Sequence, residues 1–247
     1  MAQLFAGTSG WAYPSWKPAF YPEKLAQKRF LSYYTTRLNT VEVNFTFRQL
    51  VKETTIQNWL QESPSHFRFG VKAHQVITHI KRLKGTEDFV SRFLSTIEPL
   101  AAARKLGPVL FQLPPNLKAD MSLLKDFLAG LPKTVPAAFE FRHESWFVEA
   151  TWEVLKSGDV ALCVAETETR NTPDVTTAGF AYYRFRKPTY TGEERQSMIE
   201  RIQQHLAEGR NVFAYFKHEE TPEGALYAVD LLRRVGTEGS GCSGQGV

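Results

Sequence analysis

Glu140 and Arg142 are the first candidates for chemistry, because they alternate with Phe139 and Phe141 in an apolar stretch that begins at Ala137. Side chains of a strand alternate between its two faces, so the charged residues share one face and the phenylalanines the other. A strand that is apolar outside and charged inside is typical of a parallel barrel, whose outer face is covered by helices and whose open end carries the chemistry. A structural ion pair between Glu140 and Arg142 is the alternative interpretation.

The same alternation of polar and apolar side chains recurs on other predicted strands. Its polar members are Glu42 and Asn44 on the second predicted strand, Lys72 on the third, Gln112 on the fourth and Arg184 on the seventh. Barrel interiors are usually filled by branched apolar side chains, so this polar set favours a functional site. A network of buried ion pairs that only fills the bore remains the alternative.

Two glutamates and a histidine are the predicted catalytic residues. Glu140 is the principal candidate for a general acid or base, Glu42 is the second, and His79 would orient substrate or water. The predicted substrate-binding residues are Trp11, Asn44, Lys72, Gln112, Arg142, His143, Trp146, Arg184 and Lys217. Ser9, Tyr190 and His218 lie in loops that also reach the predicted mouth of the barrel.

The charge balance of these residues predicts an anionic partner. Two acids meet four bases at the predicted strand ends, and the whole chain carries a formal charge of +4 with a pI near 9.0. A positive mouth attracts phosphate, carboxylate or phosphodiester groups. The predicted partner is therefore an anionic small molecule or a nucleic-acid fragment.

Two other reactions remain open at this point. Glu42 and Glu140 are the kind of pair that a glycosidase uses, but they lie three strands apart, on roughly opposite walls of a barrel, which is too far for a retaining pair. The histidines that a metal site would use are His74, His79, His143 and His218. No H-x-H or H-E-x-x-H spacing supports a divalent metal, so the cofactor stays unknown.

The order of elements predicts the fold class. About eight strands alternate with helices, one of which is expected over residues 23–38, and such alternation indicates a parallel sheet. A doubly wound sheet also fits, but charged residues inside its central strands would be costly. The prediction is α/β, a TIM-type (β/α)8 barrel in a single domain over residues 1–235. The Gly/Ser-rich residues 236–247 are expected to be a disordered tail.

Composition limits the cellular setting. Hydrophobic residues make up 43% of the 247 positions and charged residues 23%, as in ordinary globular domains. The two cysteines, Cys163 in a strand and Cys242 in the tail, do not form a readable disulfide framework. The N-terminus lacks the pattern of a signal peptide, and no apolar run reaches the roughly 18 residues that span a bilayer. A cytoplasmic protein without membrane contact is expected, and its oligomeric state is left open.

Several motifs in order resemble one known family. They are Gly7-Thr8-Ser9-Gly10-Trp11-x-Tyr13-x-x-Trp16, Phe20-Tyr21-Pro22, Glu42-x-Asn44-x-Thr46-Phe47, Thr78-His79, Phe111-Gln112-Leu113-Pro114-Pro115 and Glu140-Phe141-Arg142-His143-x-Ser145-Trp146. Over about residues 4–233 the chain resembles the domain of unknown function 72 (YecE-like) family. The resemblance implies a TIM-type barrel with a pocket, without a settled reaction.

The chain departs from the family pattern at three places, all toward basic residues: Arg48, Arg186-Lys187 and Lys217-His218. The function predicted from these observations is an enzyme acting on a phosphate- or carboxylate-bearing substrate at the C-terminal rim, of the kind of a phosphoester or nucleic-acid-related hydrolase. The alternative is a non-catalytic binding protein for a nucleic acid or an anionic metabolite. A glycosidase ranks below both.

Overall fold

Eight strands form the centre of the molecule in the computed structural model, which describes residues 1–168, 172–217 and 220–238. Their bounds are β1 Leu4–Thr8, β2 Thr40–Val43, β3 Arg68–Lys72, β4 Leu106–Gln112, β5 Ala137–Glu140, β6 Ala161–Glu166, β7 Phe180–Phe185 and β8 Asn211–Phe216. All paired strands run parallel, and each strand from β2 to β7 pairs with the next along the chain. The predicted TIM-type barrel is confirmed.

The sheet closes through its first and last strands. β1 pairs in parallel with β8 over five residues, and an isolated parallel bridge joins Ser9 to Glu42 between β1 and β2. This bridge lies at the carboxyl ends of both strands. It therefore places Glu42 at the rim where barrel active sites form.

Seven α-helices surround the strands within the described ranges. They are α1 Phe30–Tyr34, α2 Glu53–Glu62, α3 Glu87–Ala102, α4 Met121–Ala129, α5 Glu149–Ser157, α6 Gly192–Ala207 and α7 Glu223–Glu238. Residues 167–168 and 172–179, between β6 and β7, hold no helix, as their composition predicts. The loop predicted to carry His79 contains a π-helical turn, Val76–Ile80.

Two sequence predictions about helices are wrong. The helix expected over residues 23–38 is only a short 3-10 turn, Gln27–Arg29, followed by the five residues of α1. Aromatic packing explains the difference, because Tyr21 stacks on Phe30 at 4.1 Å and draws the preceding loop against α1. Residues 236–238, expected to belong to a disordered tail, are the last turn of α7, which ends at Glu238. The rest of the predicted tail, residues 239–247, lies outside the described chain.

Side chains alternate along each strand between the outer face and the bore of the barrel, so the apolar side chains form two separate clusters. Phe139 and Phe141 lie in the outer core, between the strands and the helices, as their spacing predicts. Inside the bore, the lower part is filled by a smaller cluster that includes Phe5 and Phe213, stacked at 4.7 Å. The polar side chains lie above this plug, at the carboxyl ends of the strands. In the described part of the chain, no helix is long and apolar enough to cross a membrane.

Candidate functional site

A cavity of about 560 Å³ opens at the carboxyl ends of the strands. We call it the rim cavity. Its lining consists of Ser9, Tyr13, Asn44, Phe45, Phe47, Arg48, Lys72, Gln112, Glu140, Arg142, Thr167, Arg184, Arg186 and Lys217. Six of these side chains are cationic and one is a carboxylate. The cavity is therefore strongly positive, as the sequence predicts for the mouth of the barrel.

The floor of the rim cavity is a buried group of three charged side chains, Glu42, Arg184 and Glu140, which we call the Arg184 triad. Arg184 donates from Nε and Nη2 to both oxygens of Glu42, at 2.9 and 2.6 Å, and from Nη1 to Glu140 at 2.5 Å. The three side chains are between 0% and 3% exposed. One guanidinium thus holds two carboxylates from opposite sides of the barrel, in the bidentate geometry that arginine favours.

Further hydrogen bonds saturate Glu42. Its oxygens also accept from Ser9 Oγ at 2.8 Å, Asn44 Nδ2 at 3.1 Å and Tyr182 OH at 2.6 Å. Burial alone would raise the pKa of Glu42, but Arg184 and Arg186 with these donors lower it to about 2. Glu42 is therefore ionised at neutral pH, and it has no exposed surface from which to act on a substrate.

Hydrogen bonds connect Glu140 to Lys72 through Gln112. Its Oε1 accepts from Gln112 Nε2 at 2.8 Å, and Gln112 Oε1 accepts from Lys72 Nζ at 2.8 Å. Gln112 and Glu140 are register partners on β4 and β5, which fixes them side by side on the inner face. Burial would raise the pKa of Glu140, but Arg184 and Arg186 outweigh it and lower that pKa.

Among these hydrogen-bonded side chains, Lys72 is the one whose pKa lies nearest neutral pH. Burial, followed by the charge of Arg184, lowers its pKa to about 8 against the opposing effect of Glu42 and Glu140. Its Nζ also lies 4.4 Å from the ring centroid of Phe47, within the range of a cation–π contact.

Arg186 contributes a second kind of cation. Its Nε is buried and makes no hydrogen bond within the described residues. Burial lowers the pKa of Arg186, and Arg184 lowers it further. A partly buried guanidinium with an unused donor is suited to bind an anion that enters from solvent.

The structure brings together most of the residues that the sequence selects. Glu140, Asn44, Lys72, Gln112, Arg142, Arg184 and Lys217 all line the rim cavity, and Glu42 lies directly beneath it. Glu42 and Glu140, expected far apart on opposite walls, meet on one guanidinium. Because the pKa of each carboxyl is lowered, neither holds the proton that a glycosidase's acid must donate.

Two predicted substrate-binding tryptophans are absent from the cavity lining. Trp146 is 0% exposed, stacks on Phe141 at 4.6 Å and donates from Nε1 to the carbonyl of Leu117 at 2.8 Å. Trp11 packs edge-on against Trp59 at 5.6 Å. Both rings pack against neighbouring aromatic residues away from the lining, and their role in contacting substrate stays a prediction.

The two histidines of the predicted site also lie behind the lining. His143 Nδ1 caps a short turn by accepting from the backbone N–H of Ser145 at 3.2 Å, and its predicted substrate contact stays a prediction. His79 is half-buried, packs edge-on against Phe47 at 4.9 Å and bonds through Nδ1 to Thr78. Burial, then Lys72 and Arg142, lowers the pKa of His79. His79 is not part of the cavity lining, and its catalytic role stays a prediction. His218 lies outside the described residues.

Some lining residues were not among the predicted site residues. Arg48 and Arg186 are visible in the sequence only as basic departures from the family pattern, and Arg186 directly follows β7, where barrel sites are built. Tyr13 and Phe47 belong to aromatic motifs that give no sign of which ring faces the cavity. Among the described residues, no group of three or more His, Cys, Asp or Glu side chains could hold a metal ion.

The fold and site define a parallel eight-stranded barrel with a cationic cavity at its carboxyl rim. The sequence profile of the family described as "Protein of unknown function DUF72" matches residues 5–246, so the chain belongs to this family. The resemblance drawn from the motifs is thereby confirmed.

Known relatives agree with this assignment. UPF0759 protein YunF of Bacillus subtilis is 28% identical over 156 residues, which are 61% of this chain and 54% of that protein. UPF0759 protein YecE of Escherichia coli is 28% identical over 151 residues, 61% of this chain and 52% of that protein. The chain thus spans about half the length of the curated relatives it matches. The crystal structure of a DUF72 family protein from Thermotoga maritima superposes with a TM-score of 0.84 at 26% identity, covering 95% of this chain and 99% of that one.

Proposed function

We propose that this protein is an enzyme that acts on a phosphate- or carboxylate-bearing substrate in the rim cavity. One observation carries the proposal: six cationic side chains and a single carboxylate line a 560 Å³ cavity at the carboxyl rim of a barrel. A cavity of this size accommodates a small organic molecule. Phosphoesters and nucleic-acid fragments are the substrates that best match so many guanidinium donors.

The proposed roles follow from the contacts of each residue. Arg142 and Arg186 bind the anionic group of the substrate, and Lys72 is the group that exchanges a proton or attacks near neutral pH. Glu140 stays ionised and, through Gln112, positions Lys72. Glu42 is a positioning residue, since it holds Arg184 and does not reach the cavity.

Capture of an anion without turnover is the second candidate function. It is favoured by the Arg184 triad, in which one guanidinium pairs with both carboxylates, and the lowered pKa of each carboxyl makes it a poor proton acceptor. The residue types and the small number of cysteines are consistent with work in the cytoplasm, which we propose as the setting.

A ligand panel tests the anion site. Inorganic phosphate, p-nitrophenyl phosphate, bis(p-nitrophenyl) phosphate, a short single-stranded oligonucleotide and acetate are compared with uncharged p-nitrophenyl glucoside by thermal shift and by calorimetry. At about a hundredfold excess over Kd, a bound ligand stabilises the fold by about 2.7 kcal/mol. The anions are expected to stabilise the protein, less so as salt is raised, because rim charges are screened.

Matched variants locate that binding. Arg186→Gln removes a cavity cation and is expected to weaken binding of the anions, whereas Arg92→Gln, on the exposed face of α3, is expected to leave it unchanged. Anion binding that survives Arg186→Gln undiminished, or glucoside binding as tight as that of the phosphates, contradicts the proposal. Release of p-nitrophenol or of shortened oligonucleotide distinguishes an enzyme from a binding protein.

A further inference from the structure

Lys72 differs from the other buried cation at the base of the rim cavity. Arg184 is held by two carboxylates, whereas the contacts of Lys72 Nζ are neutral: the amide oxygen of Gln112 at 2.8 Å and the ring of Phe47 at 4.4 Å. Within the described chain, Lys72 forms no ion pair. Its nitrogen therefore faces the cavity without the electrostatic partner that would keep it permanently protonated.

The surroundings favour the neutral amine. With a pKa of about 8, roughly a tenth of Lys72 is unprotonated at neutral pH, compared with well below ~0.1% for an ordinary lysine. The unprotonated form is the nucleophile, and desolvation beside other cations is a known way to activate a lysine toward carbonyl groups. Arg184 and Arg186 line the same cavity and supply that positive surrounding.

We propose that Lys72 Nζ forms a reversible imine with an aldehyde or ketone group of the anionic substrate. This inference rests on the proposed function, because Arg142 and Arg186 hold the phosphate or carboxylate of that substrate while its carbonyl group reaches Lys72. It narrows the substrate class to small carbonyl compounds that also carry an anionic group.

The covalent step balances without an added oxidant or reductant. The lone pair of the neutral amine attacks the carbonyl carbon, the C=O π electrons move to oxygen, and that oxygen takes a proton from the attacking nitrogen to give a neutral carbinolamine. The nitrogen lone pair then forms the C=N bond as the carbon–oxygen bond breaks, and the oxygen leaves as water after taking the proton that the ammonium released when the neutral amine formed. Starting from the ammonium and ending at the protonated imine, the nitrogen keeps one hydrogen and one positive charge. That N–H still donates to Gln112 Oε1, so the contacts of the site are preserved.

Formation of the imine requires a lysine that has a lowered pKa and that lines the rim cavity. Two other lysines do not combine these properties. Burial also lowers the pKa of Lys105, but its Nζ donates to the carbonyls of Leu60 and Ser63, and it does not line the rim cavity. Lys125 is exposed on α4. These two residues are internal controls, one for a lowered pKa without a cavity and one for ordinary surface reactivity.

Reductive trapping tests the inference on the intact protein. The chain is incubated with glyceraldehyde 3-phosphate and sodium cyanoborohydride, which reduces an imine to a stable secondary amine, and the modified peptide is identified by mass spectrometry. Modification is expected at Lys72 at least about tenfold above Lys125, which is a lower bound because the neutral fraction of Lys72 is more than about a hundredfold that of an ordinary lysine. Modification at Lys72 is also expected to exceed that at Lys105, which does not line the rim cavity. Equal labelling of Lys72 and Lys125 would overturn the inference.

Three comparisons make the outcome specific. Lys72→Arg is expected to lose the adduct while keeping the positive charge, and its folding is checked by its thermal midpoint. Because peptide mapping of the wild-type chain locates the adduct by itself, a variant that fails to fold does not remove the test. Inorganic phosphate is expected to compete with labelling, and Arg186→Gln is expected to slow labelling by glyceraldehyde 3-phosphate but not by uncharged glyceraldehyde.

The experiments distinguish a failure of the imine proposal for Lys72 from a failure of the proposed anion site. If phosphate stabilises the wild-type chain but not Arg186→Gln, and no adduct forms at Lys72, the imine is wrong and the anion site stands. If Lys72 reacts equally fast with glyceraldehyde and with its phosphate, and Arg186→Gln changes neither rate, the anionic substrate class is wrong. Selective, phosphate-sensitive labelling of Lys72 supports both.

Discussion

Replacement of Arg184 by methionine is the perturbation whose cost follows most directly from the structure. The guanidinium is 1% exposed and is the cationic partner of both Glu42 and Glu140. Its removal leaves two carboxylates buried without a counter-charge, and breaking a buried ion pair in this way costs about 3–5 kcal/mol. Arg184→Met is therefore expected to lose at least that much free energy of unfolding at neutral pH.

The loss of unfolding free energy in Arg184→Met should increase as the pH rises toward neutral. In the wild-type chain the pKa of Glu42 is lowered from 4.5 to about 2, so its stabilising contribution is present above about pH 4.5 and disappears as the pH falls through 2. A shift of that size corresponds to about 3 kcal/mol. Without Arg184, burial raises the pKa of Glu42 above its unfolded value, so the variant is penalised increasingly as the pH rises. The difference between the two proteins should therefore be largest near neutral pH and shrink toward about pH 3.

Urea unfolding followed by tryptophan fluorescence measures both effects, with Arg92→Met as the matched control. That residue is exposed on α3, and its replacement is expected to change stability by no more than about 0.5 kcal/mol. A loss below about 1 kcal/mol for Arg184→Met at neutral pH, or a loss of equal size at about pH 3, would refute the reasoning from an uncompensated buried charge.

Three smaller predictions concern packing and reactivity. Gly7→Ala would place a Cβ 1.9 Å from the backbone oxygen of Thr40 and is expected to cost more than about 2 kcal/mol in thermal unfolding, whereas Gly192→Ala, with nothing within 4 Å, should be neutral or slightly stabilising. Trp146→Phe removes the hydrogen bond of a fully buried indole and should cost about 1 kcal/mol in urea, with phosphate binding unchanged; a lost phosphate affinity would return this ring to the site. Acetylation of Lys72 by acetic anhydride should level off above about pH 9, because its pKa is about 8, while acetylation of exposed lysines continues to rise; parallel profiles would contradict the lowered pKa.

Local alternation was sufficient to predict which strand residues face the bore. Gln112 and Glu140 follow the period of two on strands whose other face is phenylalanine, so their inward direction and their positions at the strand ends could be read from the chain. Arg184 could be placed by the same rule. Successive parallel strands joined by helices usually lie next to each other in the sheet, and eight such strands close into a barrel. The number of predicted strands was therefore sufficient to predict the architecture.

What the sequence did not reveal depends on contacts between distant segments. Glu42 and Arg184 are 142 positions apart, and only the closed barrel shows that one guanidinium satisfies both acids. The same limit applies to loops, where aromatic residues carry no period: Trp146 is packed into the core, while Tyr13 lines the cavity. Residue type predicts that such a ring needs burial, but tertiary packing decides where.

The Arg184 triad also explains how a polar barrel interior can be both stable and open to a ligand. Two carboxylates and one guanidinium leave a net negative charge in the floor, and Gln112 connects this floor to Lys72 by hydrogen bonds. Arg142 and Arg186 also line the cavity, and the buried Nε of Arg186 makes no hydrogen bond within the described residues. A binding anion would therefore add charge complementarity without breaking the triad. In this geometry Glu42 and Glu140, which the sequence predicts to be catalytic, chiefly hold Arg184 in position and, through Gln112, Lys72.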